Sequence, residues 1–580
     1  MDHGDSYEVA VPRADDFDFN AQIIRHPETG VYWLVKESCP CWGLDERVGL
    51  HRDLSLLTLA PGERTFRHAP NTCNGHVRIR PEAFLSQSSQ NLTPVHPRLF
   101  PDGDSVGLTF RRFRFTGLYP HGWDTYVMRA ATDGWSEPVR VSPNSGHGDA
   151  AYAVVVSEDC LTAFCPSCDV EPFLTFDEEA AGLPWRRRER RATDQRVEIV
   201  AFGDSDFLPP TDFPRSKRST YVVPPSVHDV ASDPPPVAAC PEARTLIWAD
   251  LHAHSAYSKC MGCNDGTPRD VLRFQRDVLG CHVLCLTDHV EYMNGGEFAH
   301  VLDCVERECG EGRIPLYGVE WARFPAHHTN FLAADREVFE RLRTLLFLYS
   351  HLTSLYGAMR RELPDGSVAA IRHMHGEDHD AFGVSGTRVA ETHDPRFEWA
   401  MEAMQTRGNA LLDGMRGMYP RFPANFLHAG CEVGIVGGSD HSRGAGPNSF
   451  CLTGLWVREM SGSGVIEALR TGNTFGVANG KMALHVDIDG ASGGRHVAVS
   501  GPVRAHVHMA CARAIRRVCL MRDGELLAWQ DVARRQASVV LVDAEAAPGS
   551  HWYVVTVEGA DAYPKAPLLA HSSPLFVKSA

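Results

Sequence analysis

Between Thr245 and Gly480 the sequence alternates, and this alternation limits the fold more than any other feature. Short apolar runs ("TLIWA", "HVLCLT", "RIPLYGV", "HTNFLAA", "VAAIR", "FEWAM", "EVGIVGG") are separated by polar stretches, several of them helix-prone. In "PRDVLRFQRDVLG" Thr267 precedes Pro268, a capping residue followed by a first-turn proline. "DREVFERLRTLLFLYSHLTSLYGAMRRE" reads as a long helical stretch. Strand and helix in alternation predict a parallel sheet or barrel.

A second pattern is laid over the first. "TLIWAD" leads to His252 and His254, "HVLCLTD" to His289, and "RIPLYGV" to Glu320. "VAAIR" leads to His373 and His375, and "EVGIVGGS" to Asp440 and His441. In a parallel barrel the C-terminal strand ends converge on one face, so side chains placed there from several strands meet. Residues i and i+2 of a strand point the same way, so His252 and His254 can serve one ion. Converging imidazoles and carboxylates make a site for a divalent cation such as zinc, manganese or iron. A single histidine at a loop start is ordinary, but the pattern at five strand ends of seven is not.

At 580 residues the chain exceeds one core, and about 100–200 residues per domain implies three or so domains. Residues 1–206 read as a β-rich domain, with short runs such as "GVYWLVKE" and "DTYVMRAA" between turn residues. Residues 207–244 carry nine prolines and read as an extended linker. The alternating region takes 245–480. Residues 481–580 read as a small β-sandwich, with "RDG" as a hairpin turn.

A net charge of −16 disfavours a phosphate backbone, so nucleic acid is not an expected partner. The basic run "WRRRERR" (Trp185 to Arg191) is read as a solvated loop. No apolar run approaches the ~18 residues of a membrane span, and the acidic N-terminus does not look like a secretory signal, so a cytoplasmic protein is expected. The 17 cysteines are then expected to be reduced. "CPC" (Cys39, Cys41) and "CPSC" (Cys165, Cys168) would make a structural zinc site only if they met in space.

The motifs "DLHAHSAYS", "LTDH", "GVEW" and "GGSDH" together resemble the polymerase-and-histidinol-phosphatase (PHP) family of metal-dependent hydrolases, over about 235 residues. The aromatic before the first motif, the "HTN" stretch and the β-rich C-terminal region look most like the branch containing carbaryl-hydrolase-like metallohydrolases. The resemblance implies an α/β fold, a distorted (β/α)7 barrel, with two or three divalent metal ions. Carried onto this chain, it makes His252, His254, His289, Glu320, His328 and Asp440 ligands. Asp265, in the lengthened loop "SKCMGCNDG", is the match for the family's acidic residue, and Cys260 and Cys263 share that loop. "IRHMHG" offers His373 and His375 without deciding between them. The family's last motif is aspartate, any residue, histidine. Here it is Asp440-His441-Ser442, so either His441 bends in or that position is lost.

The expected function is hydrolysis of a small-molecule ester, carbamate or amide by a metal-bridged hydroxide, with phosphoester hydrolysis as the alternative. Asp440 and His441 would act at the reacting centre, while Glu402, Arg407 and Arg443 would orient substrate. A degenerate, non-catalytic barrel with binding β domains is a second alternative. The flanking β domains are left as walls of the site mouth or as a homo-oligomer contact.

Overall fold

The computed structural model describes residues 17–39, 53–70, 95–116, 119–131, 134–142, 153–157, 160–169, 193–208, 233–237, 244–258, 267–290, 295–322, 328–349, 351–373, 392–405, 422–440, 451–494, 496–546, 548–563 and 566–579, with a few shorter pieces between them. The chain divides into two compact units, built mainly from residues 1–223 and 224–580. The described residues of the first unit form antiparallel strands in three sheets. Trp33, Leu54, Leu56, Leu108, Phe110 and Met128 pack into its main apolar cluster.

The second unit holds the alternating region. Its strands include β1 (Thr245–Ala249), β2 (Val283–Leu284), β3 (Ile314–Pro315), β4 (Tyr317–Trp321), β5 (Thr329–Ala333), β6 (Val368–Arg372), β7 (Glu398–Gln405), β8 (Gly434–Gly437), β9 (Cys451–Val457) and β10 (Thr474–Ala478). One sheet runs β3-β2-β1-β9-β10 and continues through Ala566–Ser572, Gly549–Tyr563 and Val503–Arg522 to Met482–Ile488. The C-terminal strands thus extend the central sheet. A second sheet runs β4-β5-β6-β7, with β8 also paired to β7. Ile247, Val283 and Leu455 of the first sheet share one core with Leu332, Ile371 and Val436 of the second.

The expected (β/α)7 barrel is not what forms. The chain is strand-rich, 52% strand against 20% helix, with several sheets, six α-helices and no closed barrel among the described residues. The physical reason lies in the connections. Only seven residues separate Trp321 from Thr329, too few for the dozen or more that a parallel crossover needs. β5 therefore runs antiparallel to both β4 and β6. β1 is likewise antiparallel to β9. Apolar runs that look like successive barrel strands are in part hairpins.

The six helices are α1 (Pro268–Arg273), α2 (Gly295–Cys309), α3 (Arg336–Leu348), α4 (Leu352–Glu362), α5 (Phe422–His428) and α6 (Gly462–Arg470). At α1 the Thr267 hydroxyl accepts from Asp270 N and the Asp270 carboxylate accepts from Thr267 N, a reciprocal cap. The long expected helix is broken into α3 and α4, because Tyr349 and His351 take extended backbone angles. "RDG" closes a two-residue hairpin from Arg522 to Glu525, with Asp523 and Gly524 both at positive φ, +50° and +83°. No helix among the described residues is long and apolar enough to cross a membrane.

Candidate metal centre

β1 is buried over its last three residues, Ile247, Trp248 and Ala249, and delivers the buried Asp250 at its end. There Asp250 Oδ1 accepts from His252 N (3.2 Å) and Ser439 N (3.0 Å), and Oδ2 accepts from the Ser439 hydroxyl. One carboxylate thus ties the β1 end to the "GGSDH" turn, more than 180 residues away. Asp440 N donates to His252 O at 2.7 Å, drawing the two segments together again. Asp440 itself sits at φ +53°, a left-handed conformation that costs a non-glycine residue energy and recurs at functional sites.

This stitching brings four side chains to one point. His252 Nε2 and His254 Nε2 stand 3.1 Å apart. Asp440 Oδ1 lies 3.3 Å from the first and 3.0 Å from the second. Glu320 Oε2 lies 3.4 and 3.0 Å from the same two nitrogens. Ligand atoms on one ion at about 2.0–2.2 Å stand about 3.0–3.5 Å from each other. The spacing within the group is therefore that of a coordination shell.

Glu320 also has a second side. Its Oε1 faces His373 Nε2 at 3.0 Å and His328 Nδ1. Its Oε2 further faces His289 Nε2 at 3.3 Å. His289 is bridged to Glu320 through the backbone, which aligns the end of the "LTDH" segment with β4. His289, Glu320 and His328 form a second group with metal-binding spacing, and His252, His373 and Glu402 a third. The donors are histidine nitrogens and carboxylate oxygens, a set that suits zinc, manganese or iron.

The tautomers are set from behind. Glu402 Oε2 lies 2.8 Å from His252 Nδ1, so a proton held there leaves the Nε2 lone pair facing the cluster. The Ser258 hydroxyl lies 2.7 Å from His254 Nδ1, accepts from His289 N (3.1 Å) and donates to Asp288 Oδ1 (2.7 Å). With its donor spent on Asp288, the hydroxyl can only accept from His254. A Ser258→Ala variant is expected to bind metal about 10–100-fold more weakly while staying folded. Calorimetric metal titration against the parent checks this.

Burial and charge are set against each other here. Burial opposes a charged Glu320, yet the imidazoles packed against its two oxygens, His252 among them, hold its carboxyl well below the usual carboxylate range. Burial also opposes a charged His254, but Asp440 and Glu320 hold it up at about 9. His252 is raised for the same kind of reason, by Glu402 and Asp440 against burial. Burial pushes His289 down to about 3 and lowers His373, so both rings are neutral. The Glu320 carboxylate thus faces two rings, His252 and His254, that its surroundings favour in the protonated form. A divalent cation held by these residues would supply positive charge in place of those protons.

Of the candidate residues read from sequence, His252, His254, His289, Glu320, His328, His373, Asp440 and Glu402 come together. Glu402 lies behind His252, 1% exposed, and not at a surface mouth. Asp265, His375, His441, Arg407, Arg443, Cys260 and Cys263 lie outside the described residues, as do Cys41 and the basic run. The side chains of Cys39, Cys165 and Cys168 are likewise outside the description. Sequence reasoning passed over Asp250, Ser258, Asp288 and Ser439. Their signal was present, since all four fall inside the motifs "DLHAHSAYS", "LTDH" and "GGSDH".

The chain matches no protein-family model, and no curated protein matches it. Among solved structures it is similar to a two-domain protein from Bacteroides vulgatus containing a predicted PHP-like metal-dependent phosphoesterase. That likeness has 12% identity and a TM-score of 0.32, over 57% of this chain and 96% of that one. It is similar also to a Bacteroides uniformis beta-glucuronidase, with 10% identity and a TM-score of 0.16, over 75% of this chain and 62% of that one. With overlaps this slight, the reading of function rests on the site's own geometry.

Proposed function

We propose that this chain is a metal-dependent hydrolase of a small-molecule substrate. The observation that carries the reading is Glu320, a fully buried carboxylate with five imidazoles divided between its two oxygens. So costly an arrangement would be relieved by cations in place of the protons, with Glu320 common to two groups of residues that would hold them. His252, His254 and Asp440 complete one position, and His289 and His328 the other. A divalent cation bound there supplies Lewis acidity and makes coordinated water acidic near neutral pH. Asp440, held at its strained turn, is assigned as acceptor of the attacking water's proton. Glu402 and Ser258 keep the two first-motif rings in the ligating tautomer.

The bond cut is assigned to an ester, carbamate or amide, with a phosphoester as the alternative. A phosphate calls for several cations. Of the two beside the motifs, Arg372 donates to Glu398 Oε1 and Thr392 O, on the face of β6 opposite Ile371. Arg443 lies outside the described residues. The resemblance to carbaryl-hydrolase-like proteins points the same way.

The test joins metal content to turnover. Protein purified without added metal is expected to carry about two equivalents of zinc, manganese or iron by plasma mass spectrometry. It is expected to turn over at least one class in a panel of aryl carbamates, esters, amides and phosphates. His254→Ala is expected to lose metal and hydrolysis together. A folded parent with no metal, not restored by adding any, would remove the reading.

A further inference from the structure

Asn330 lies in the middle of β5 with a fully buried side chain. Neither its Oδ1 nor its Nδ2 has a hydrogen-bond partner among the described residues. Such a side chain offers two donors and two acceptor lone pairs, and native proteins rarely leave all of them unmade. Its position shows what is nearby. Asn330 is directly opposite Glu320 on β4 and opposite Ile371 on β6, and residues paired across strands project from the same face. His328, two residues back, shares that face. The next step of the β5–β6 pairing is His373 N donating to His328 O, which puts His373 diagonally beside Asn330. Glu320, His328 and His373 are the groups that meet at Glu320 Oε1. On the other side Leu332 and Ile371 are apolar core and offer the amide nothing.

We propose that Asn330 is a positioning residue of the metal centre, holding internal water that passes a hydrogen bond on to the Glu320 carboxylate. Buried water makes about three hydrogen bonds and settles where polar groups lack protein partners. Between an amide with unmade bonds and a carboxylate, water is the small group that both donates and accepts. The water orients Glu320 across its two metal positions, as a protein partner behind a ligand would. The proposal rests on the metal-centre reading above.

The deciding experiment is a crystal structure of the metal-loaded parent, at a resolution that shows waters. A water within hydrogen-bond distance of both the Asn330 amide and Glu320 supports the proposal. A dry amide, or one bonded to a protein side chain, overturns it. Calorimetric titration with manganese or zinc gives the size of the effect. Asn330→Leu keeps the branched shape and removes the buried polar atoms, but its methyl groups are larger than the amide oxygen and nitrogen, so its metal-free form is expected to stay folded with a melting temperature close to the parent's. Its metal Kd is expected to rise about tenfold or more. A Kd within about twofold of the parent removes the role of Asn330 and leaves the metal centre standing. A parent that binds no metal removes the centre itself. Should Asn330→Leu not fold, the parent crystal structure still decides.

Discussion

Glu320→Gln is expected to empty the metal centre while leaving the chain folded. Glutamine keeps the shape and removes the charge. In the parent both carboxylate oxygens face ring nitrogens, at 3.0 to 3.4 Å wherever His252, His254, His289 and His373 are concerned. In the variant one end becomes an NH2 group, a donor directed at ring nitrogens or at a cation. Removing one partner of a buried charged cluster costs about 3–5 kcal/mol when the other charge stays. Here His252 and His254 can give up their protons, so the fold loses less than that and the cation loses its bridging ligand. Metal affinity is expected to fall by more than the roughly 10–100-fold that an outer partner is worth, and turnover with it. Metal content, titration calorimetry and far-ultraviolet circular dichroism together check this. A folded Glu320→Gln protein that retains the parent's metal would sink the assignment.

Gly438→Ala is expected to be nearly as damaging, for a steric reason. A Cβ at Gly438 would stand 2.4 Å from His252 Cβ and 2.6 Å from Glu402 Oε2, both far inside van der Waals contact. His252 and Glu402 cannot both stay, and their hydrogen bond is what sets the His252 tautomer. Overpacking of this kind costs about 1–3 kcal/mol. The larger effect is expected on metal, because the displaced ring is one of the proposed ligands. Gly430→Ala is the control: its φ of +84° strains any side chain, but nothing lies within 4 Å. It is expected to lower the melting temperature and leave metal affinity alone. Equal metal loss in both variants would mean that Gly438 acts only through stability.

The candidate site was more legible than the fold, and the two differ for a physical reason. Ligation requires particular chemical groups, and imidazole or carboxylate at the end of an apolar run is visible residue by residue. His252, His254, His289, Glu320 and Asp440 could be picked out that way. Strand direction carries no such mark. "HTNFLAA" has the same apolar character whether it follows a crossover or returns as a hairpin, and only the seven-residue spacer before Thr329 pointed to the hairpin. Glu402 was legible as a polar residue beside the motifs. Its place behind His252 depends on β7 lying beside β8, where Glu402 pairs with Val436.

The sequence by itself determined which side chains are available to a metal, the cap at Thr267 and the turn at Asp523-Gly524. These depend on residue type and on neighbours within a few positions. The tertiary structure decided that β1 pairs antiparallel with β9, that Asp250 ties the first motif to the last, and that Asn330 lies opposite Glu320. Each joins segments distant in sequence or fixes a strand register. Such pairings are selected by burial of the whole core at once, which no local pattern of residues encodes.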